Sequence, residues 1–172
     1  MVAAIDPDRH LVVSHKFEST FTRKALNHSG HFQARFGAIY FITICCQQRS
    51  TNQLCRGRVA KHIFETAAMY DCQESWHLLV LLLMPDHLHT LISVGGHKPV
   101  SGVIQNFKRA TTKFAGIHWQ RNYFDHRLRA DESLVGKAEY IRQNPVRAGL
   151  TSSADDWPYV LDRDGLEKMA AR

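Results

Sequence analysis

Two stretches of the chain are apolar on both alternating sets of positions. "AIYFITICC" at 38–46 is rich in β-branched and aromatic residues and predicts a strand buried on both faces. "SWHLLVLLLM" at 75–84 predicts a second buried strand. Pro85 and Asp86 predict a tight turn, and "HLHTLISV" at 87–94 alternates as a third strand that closes a hairpin with the second. Between the first two strands, "RVAKHIFETAAMYD" at 58–71 sets Val59, Ile63, Ala67 and Tyr70 at helical spacing and predicts an amphipathic helix.

After "GGHKP", Pro99 opens a second helix that runs to about Ala115, because a proline in the first turn loses no needed donor. Val100, Val103, Ile104, Phe107 and Phe114 share its apolar face, and Lys108, Arg109 and Lys113 lie mostly off that stripe. "NYFDHRLRA" at 122–130 predicts a shorter fourth strand. "ESLVGKAEYIRQN" at 132–144 predicts a last helix, with Asp131 as N-cap, Glu132 in the first turn and Pro145 as the stop. The order β-α-β-β-α-β, then a helix, predicts an α+β domain with a ferredoxin-like antiparallel sheet. The two crossover helices cover one sheet face and leave the other for a ligand or for the last helix. Weak periodicity over 1–37 predicts an extended arm or a partly disordered leader. The domain then spans 38–150, and 151–172 reads as a tail.

Composition narrows this picture. The 172 residues suit one domain, and 44% hydrophobic with 22% charged is an ordinary globular balance. No apolar run approaches the ~20 residues that span a bilayer, and the first residues lack the pattern of a secretory signal. The four cysteines show no CxxC spacing, so reduced thiols in the cytosol are expected. Charge is unevenly placed: residues 98–147 hold ten Lys and Arg against four Asp and Glu, which equals the whole net charge of +6. A localised basic segment suits a polyanion such as nucleic acid, and it equally suits a solvated basic face.

On a strand, residues two apart share a face. His87 and His89 therefore project together from the face opposite Leu88, Thr90 and Ile92. Neutral imidazoles at this spacing can bind one divalent ion. With eleven histidines in the chain the pair alone is weak, and two ligands underfill a metal site. Tyr140 and Asn144 lie four apart on one face of the last helix, apart from the apolar stripe of Leu134, Ala138 and Ile141. The asparagine carbonyl suits Mg²⁺ or Mn²⁺. A phenol becomes a useful nucleophile toward a metal-polarised phosphodiester. The plain alternatives are a tyrosine capping the core and an asparagine ending a helix.

"MPDHLHTLI", "FKRATTKFA", "YFDHRLR", "EYIRQNPVRAGL" and "DDWP" follow one another over residues 40–158. Together they resemble the REP-associated tyrosine transposases, relatives of the single-tyrosine HUH transposases. Where members commonly carry "WPWSS", this chain has "WPYVLD". The resemblance implies a ferredoxin-like core with an added tyrosine helix. It implies metal-dependent cleavage and joining of single-stranded, hairpin-bearing DNA through a 5′-phosphotyrosine link. By position, Tyr140 is the nucleophile, and His87, His89 and Asn144 hold Mg²⁺ or Mn²⁺. Lys108, Arg109, Lys113, Arg127, Arg129 and Arg142 are the expected phosphate contacts, and Trp119, Tyr123 and Phe124 could stack on bases, with Phe124 favoured as core. His126 falls in the matching "DHRLR" and could support the site, without an evident role from sequence. Gly136, one turn before Tyr140, permits close packing or movement. The expected setting is the bacterial cytoplasm, with no membrane partner, as a monomer or homodimer. Two other classes stay open: a nucleic-acid-binding module without catalysis, and a metallohydrolase that activates water.

Overall fold

The computed structural model describes residues 37–96 and 98–171. The arm expected over 1–37 lies almost wholly outside them. The elements run β1 (Ala38–Cys45), α1 (Gly57–Cys72), β2 (His77–Met84), β3 (His87–Val94), α2 (Val100–Ala115), β4 (Phe124–Arg127), α3 (Leu134–Arg142) and α4 (Asn144–Arg147). A 3-10 turn (Ala154–Asp156), β5 (Val160–Asp162) and α5 (Arg163–Ala170) complete the chain. The sheet is antiparallel in the order β4-β1-β3-β2-β5, so β3 is its central strand. The expected β-α-β-β-α-β core and added helix are present.

Register fixes the two faces. Thr43 pairs with His89 and Cys45 with His87 across β1 and β3, and Leu82 and Met84 oppose the same histidines from β2. On β4, His126 pairs with Phe41 and Phe124 with Thr43. These residues share one face. The other face carries Ile42, Ile44, Leu88, Thr90 and Ile92, all essentially dry. The paired helices α1 and α2 cover that second face, and α3 packs across β2 and β3 on the first. The face left for a ligand is therefore partly roofed by the tyrosine helix.

Several boundaries differ from the sequence reading. The apolar stripe of α2 ends at Thr111; Phe114 is 66% exposed. The N-cap of α3 is Ser133, whose Oγ accepts from the Gly136 amide at 3.0 Å, not Asp131. Glu132 turns back toward β4 rather than entering the first turn. A Cβ on Gly136 would stand 3.4 Å from the Ser133 side chain, an ordinary contact, so the cap does not itself require glycine. Pro145 does not end the helical path. It occupies the first turn of α4, where its missing N–H costs nothing, and the break falls at Gln143.

The largest correction is the segment read as a tail. β5 pairs with β2 through Val80–Asp162, Leu81–Leu161 and Leu82–Val160. Trp157 is buried and its indole N–H donates to the Leu83 carbonyl at 2.9 Å. Arg163 binds both carboxylate oxygens of Asp71 on α1 at 2.9 Å. A three-residue strand carries too short a pattern to be read alone; pairing with the already buried β2 makes it a strand.

Candidate active site

The hairpin turn prepares the first histidine. His87 Nδ1 and Asp86 Oδ1 are 2.7 Å apart. Asp86 also accepts from the Ser50 amide at 2.7 Å and pairs with Arg49 Nε at 3.0 Å. The loop that brings Arg49 and Ser50 is wrapped on the turn by backbone bonds from Cys46 to Asp86 and from Gln53 and Leu54 to Pro85. Burial works to raise the Asp86 carboxyl, but the His87 bond, the Ser50 amide and Arg49 outweigh it and hold the group below its usual range. An ionised Asp86 favours the proton on His87 Nδ1, and in the neutral ring that tautomer has its lone pair on Nε2.

The second histidine is more enclosed. His89 is 9% exposed and its Nδ1 lies 2.8 Å from Thr43 Oγ1. Burial, with smaller pushes from His87 and Arg49, brings its pKa down to about 3. The ring is neutral at physiological pH, the form that ligates metal. The two rings stand 4.8 Å apart at 85°. Each has its Nδ1 engaged by an oxygen, and Nε2 of His89 carries a lone pair in the tautomer whose Nδ1–H donates to Thr43.

Phe41 joins these histidines to the tyrosine. Its ring stacks on His89 at 5.7 Å and 19°, and meets Tyr140 edge-on at 6.3 Å and 87°. Tyr140 is 46% exposed. The Arg147 guanidinium lies 4.3 Å from its ring centre and Lys137 Nζ lies 5.7 Å away. Neither cation was singled out from the sequence. Their spacing from Tyr140, three before and seven after, puts both on the face of that ring. Asn144 closes α3: its Nδ2 donates to the Tyr140 carbonyl at 3.0 Å and the Ile141 carbonyl at 3.1 Å. That leaves Oδ1 as the atom a cation could use.

The donor set fits a small divalent ion in kind: two neutral imidazole nitrogens and one amide oxygen suit Mn²⁺, and an added phosphate oxygen suits Mg²⁺. Among the described residues, no group of three or more His, Cys, Asp and Glu side chains could hold a metal. Asparagine would have to be the third protein ligand.

The cations expected to meet phosphate divide into groups. Lys108 Nζ donates to the carbonyls of Gln120 and Arg121 at 2.6 and 3.0 Å and so tethers a loop. Arg109 bonds Asn106, and Lys113 lies over the Phe114 ring. All three sit on α2, in the layer opposite the histidines. Arg142 is paired with Asp162 of β5 at 2.7 Å. Arg127 lies on edge strand β4, and Arg129 follows it toward α3. Trp119 is core and binds Thr111 through its indole N–H. Tyr123 packs against the core. Phe124, expected in the core, is 47% exposed on β4, which has no neighbouring strand on its outer side among the described residues.

A family model described as "Transposase IS200 like" matches residues 34–144. An uncharacterised protein of Haemophilus influenzae is 27% identical over 156 residues, covering 67% of this chain and 84% of its own length. A second Haemophilus influenzae protein, provisionally named a REP-associated tyrosine transposase, is 26% identical over 144 residues, with coverages of 72% and 78%. A REP-associated tyrosine transposase of Escherichia coli is 26% identical over 81 residues, 45% of this chain and 49% of that protein. A solved structure of a REP-associated tyrosine transposase bound to a REP hairpin shares the fold, with a TM-score of 0.65, 20% identity and coverage of 90% and 86%. No helix among the described residues is long and apolar enough to cross a membrane. The family match spans more than half of the chain, which therefore belongs to the IS200-like transposase family and is similar, within it, to the REP-associated tyrosine transposases.

Proposed function

We propose that the chain cleaves and rejoins single-stranded, hairpin-bearing DNA through Tyr140. The observation that carries this reading is the row His87, His89, Phe41, Tyr140. Two adjacent imidazoles each have Nδ1 engaged by an oxygen, and one ring separates them from a half-exposed phenol of the same chain. His87, His89 and the Oδ1 of Asn144 would hold Mg²⁺ or Mn²⁺. The bound ion would neutralise a non-bridging oxygen of the scissile phosphate.

The remaining steps belong to the chain. Lys137 and Arg147 place positive charge beside the phenol, where a phosphate must come. The Tyr140 oxygen loses its proton and forms a bond to phosphorus as the bond to the 3′-oxygen breaks. That oxygen takes a proton and leaves as a 3′-hydroxyl. The phosphotyrosine link conserves the phosphodiester, so attack by another 3′-hydroxyl restores a strand without a nucleotide cofactor.

The test is incubation of end-labelled hairpin-bearing single-stranded DNA with the protein and Mg²⁺ or Mn²⁺. An SDS-resistant adduct that disappears in Tyr140→Phe is the expected result. Metal-dependent cleavage with no adduct would assign the site to water activation. Binding with no cleavage would make the chain a nucleic-acid-binding module.

A further inference from the structure

His126 and Glu132 have no part in the site described above, yet they are joined closely. Both carboxylate oxygens of Glu132 lie against His126 Nε2, at 2.9 and 2.8 Å. One of them also accepts the Arg129 amide at 2.8 Å, and the Glu132 amide returns a bond to the Arg129 carbonyl at 3.1 Å. The turn from Arg129 to Glu132 is therefore closed on itself and fastened to β4. The carboxyl is held below its usual range, first by the Arg129 amide and next by the His126 bond.

Position gives this fastening its meaning. His126 sits on the histidine face of β4, directly across from Phe41. Glu132 precedes the Ser133 cap of α3 by one residue. Beyond the fastening, Ile141 is fully buried and Leu134 and Ala138 are partly so. α3 has nine residues, a low intrinsic tendency to stand alone and no acidic side chain in its first turn. Its lead-in has to be fixed from outside the helix.

We propose that His126 and Glu132 are positioning residues that set the start of the tyrosine helix against the sheet and so hold Tyr140 at Phe41. Neither touches DNA in this scheme. The proposal rests on Tyr140 as the nucleophile for its effect on reaction, and its structural half can be read without DNA.

The experiment compares wild type with Glu132→Ala, His126→Ala, Glu132→Gln and His126→Gln in the full chain. Amide hydrogen exchange is measured without DNA, and adduct formation is measured in single turnover at saturating hairpin DNA. Loss of a charge-assisted bond predicts about tenfold faster exchange across α3 in both alanine variants, with β1 and β3 unchanged. It predicts about a tenfold slower adduct step with hairpin affinity changed less than about twofold. The glutamine variants keep an acceptor for the Arg129 amide or a donor near the Nε2 position, and recover most of both losses.

Unchanged α3 exchange in both alanine variants would overturn the proposal. So would weakened hairpin binding in step with the adduct rate, which would make the pair a DNA contact. Uniformly faster exchange over the whole sheet, unrelieved by glutamine, would make it a general fold contact and also overturn it. If wild type forms no adduct, the tyrosine reading fails and the exchange comparison alone decides the clamp.

Discussion

Phe41 lies nearly parallel to His89, with ring centres 5.7 Å apart, and it does so from the neighbouring strand. The same ring is touched edge-on by Tyr140 and by Phe124, at 6.3 and 6.0 Å. One apolar side chain thus spaces the proposed metal ligand from the proposed nucleophile. Replacing it by leucine keeps the site dry but removes the flat spacer. Phe41→Leu is expected to cost roughly 1–2 kcal/mol of stability in denaturant unfolding. Its adduct rate is expected to fall by about tenfold or more, since small misplacements of reacting groups are expensive. An adduct rate that follows wild type would show that the spacing is set elsewhere.

Asp86 orients His87 while Arg49 and Ser50 hold Asp86. Asp86→Asn keeps the shape and removes the charge that favours the Nδ1-protonated ring. Mn²⁺ affinity, followed by titration calorimetry, is expected to drop by about 10–100-fold. Equal Mn²⁺ affinity in the two proteins would mean that His87 does not ligate through Nε2.

His89 makes stability depend on pH. Burial lowers its folded pKa to about 3, from the ordinary value of 6.5. Below that ordinary value the unfolded chain binds a proton that the folded chain refuses. The contribution is therefore complete above it and is lost as pH falls toward the folded pKa, at up to ~1.4 kcal/mol per pH unit. His77, also lowered by burial, acts in the same direction. Urea unfolding of chelator-treated protein should show lower stability at about pH 5.5 than at about pH 7.5. His89→Leu should shrink that difference but leave the part due to His77. An equal slope in the variant would mean that His89 is protonated in the folded state.

Removal of the chain after Leu150 should be far more damaging than loss of a tail. It uncovers the β2 edge and leaves Leu83, Arg142 and Asp71 without their partners in the last segment. The truncated chain is expected to be insoluble or to lose most of its stability. Trp157→Phe isolates one bond: about 1–2 kcal/mol should be lost in unfolding while the fold persists.

Period-two alternation made the histidine pair legible, because a strand leaves no choice about which residues share a face. Helical spacing did the same for Tyr140 and Asn144. Phe41 was not legible, since one aromatic in an apolar strand looks like every other core position until its neighbours are known. Asp86 read as a turn residue for the same reason: its service to His87 needs the loop that carries Arg49 and Ser50. Lys108 and Arg142 read as phosphate contacts because sequence shows charge and not partners. Phe124 read as core because its strand's place at the sheet edge is a property of the whole topology.

β4 and β5 are the two borders of the sheet, and the tyrosine helix is moored to both. Its leading end is tied to β4 through Glu132 and His126, and its trailing end to β5 through Arg142 and Asp162. A helix slung between opposite shores cannot be handed to a second molecule by opening one hinge. Any exchange of Tyr140 between chains would have to cast off both lines.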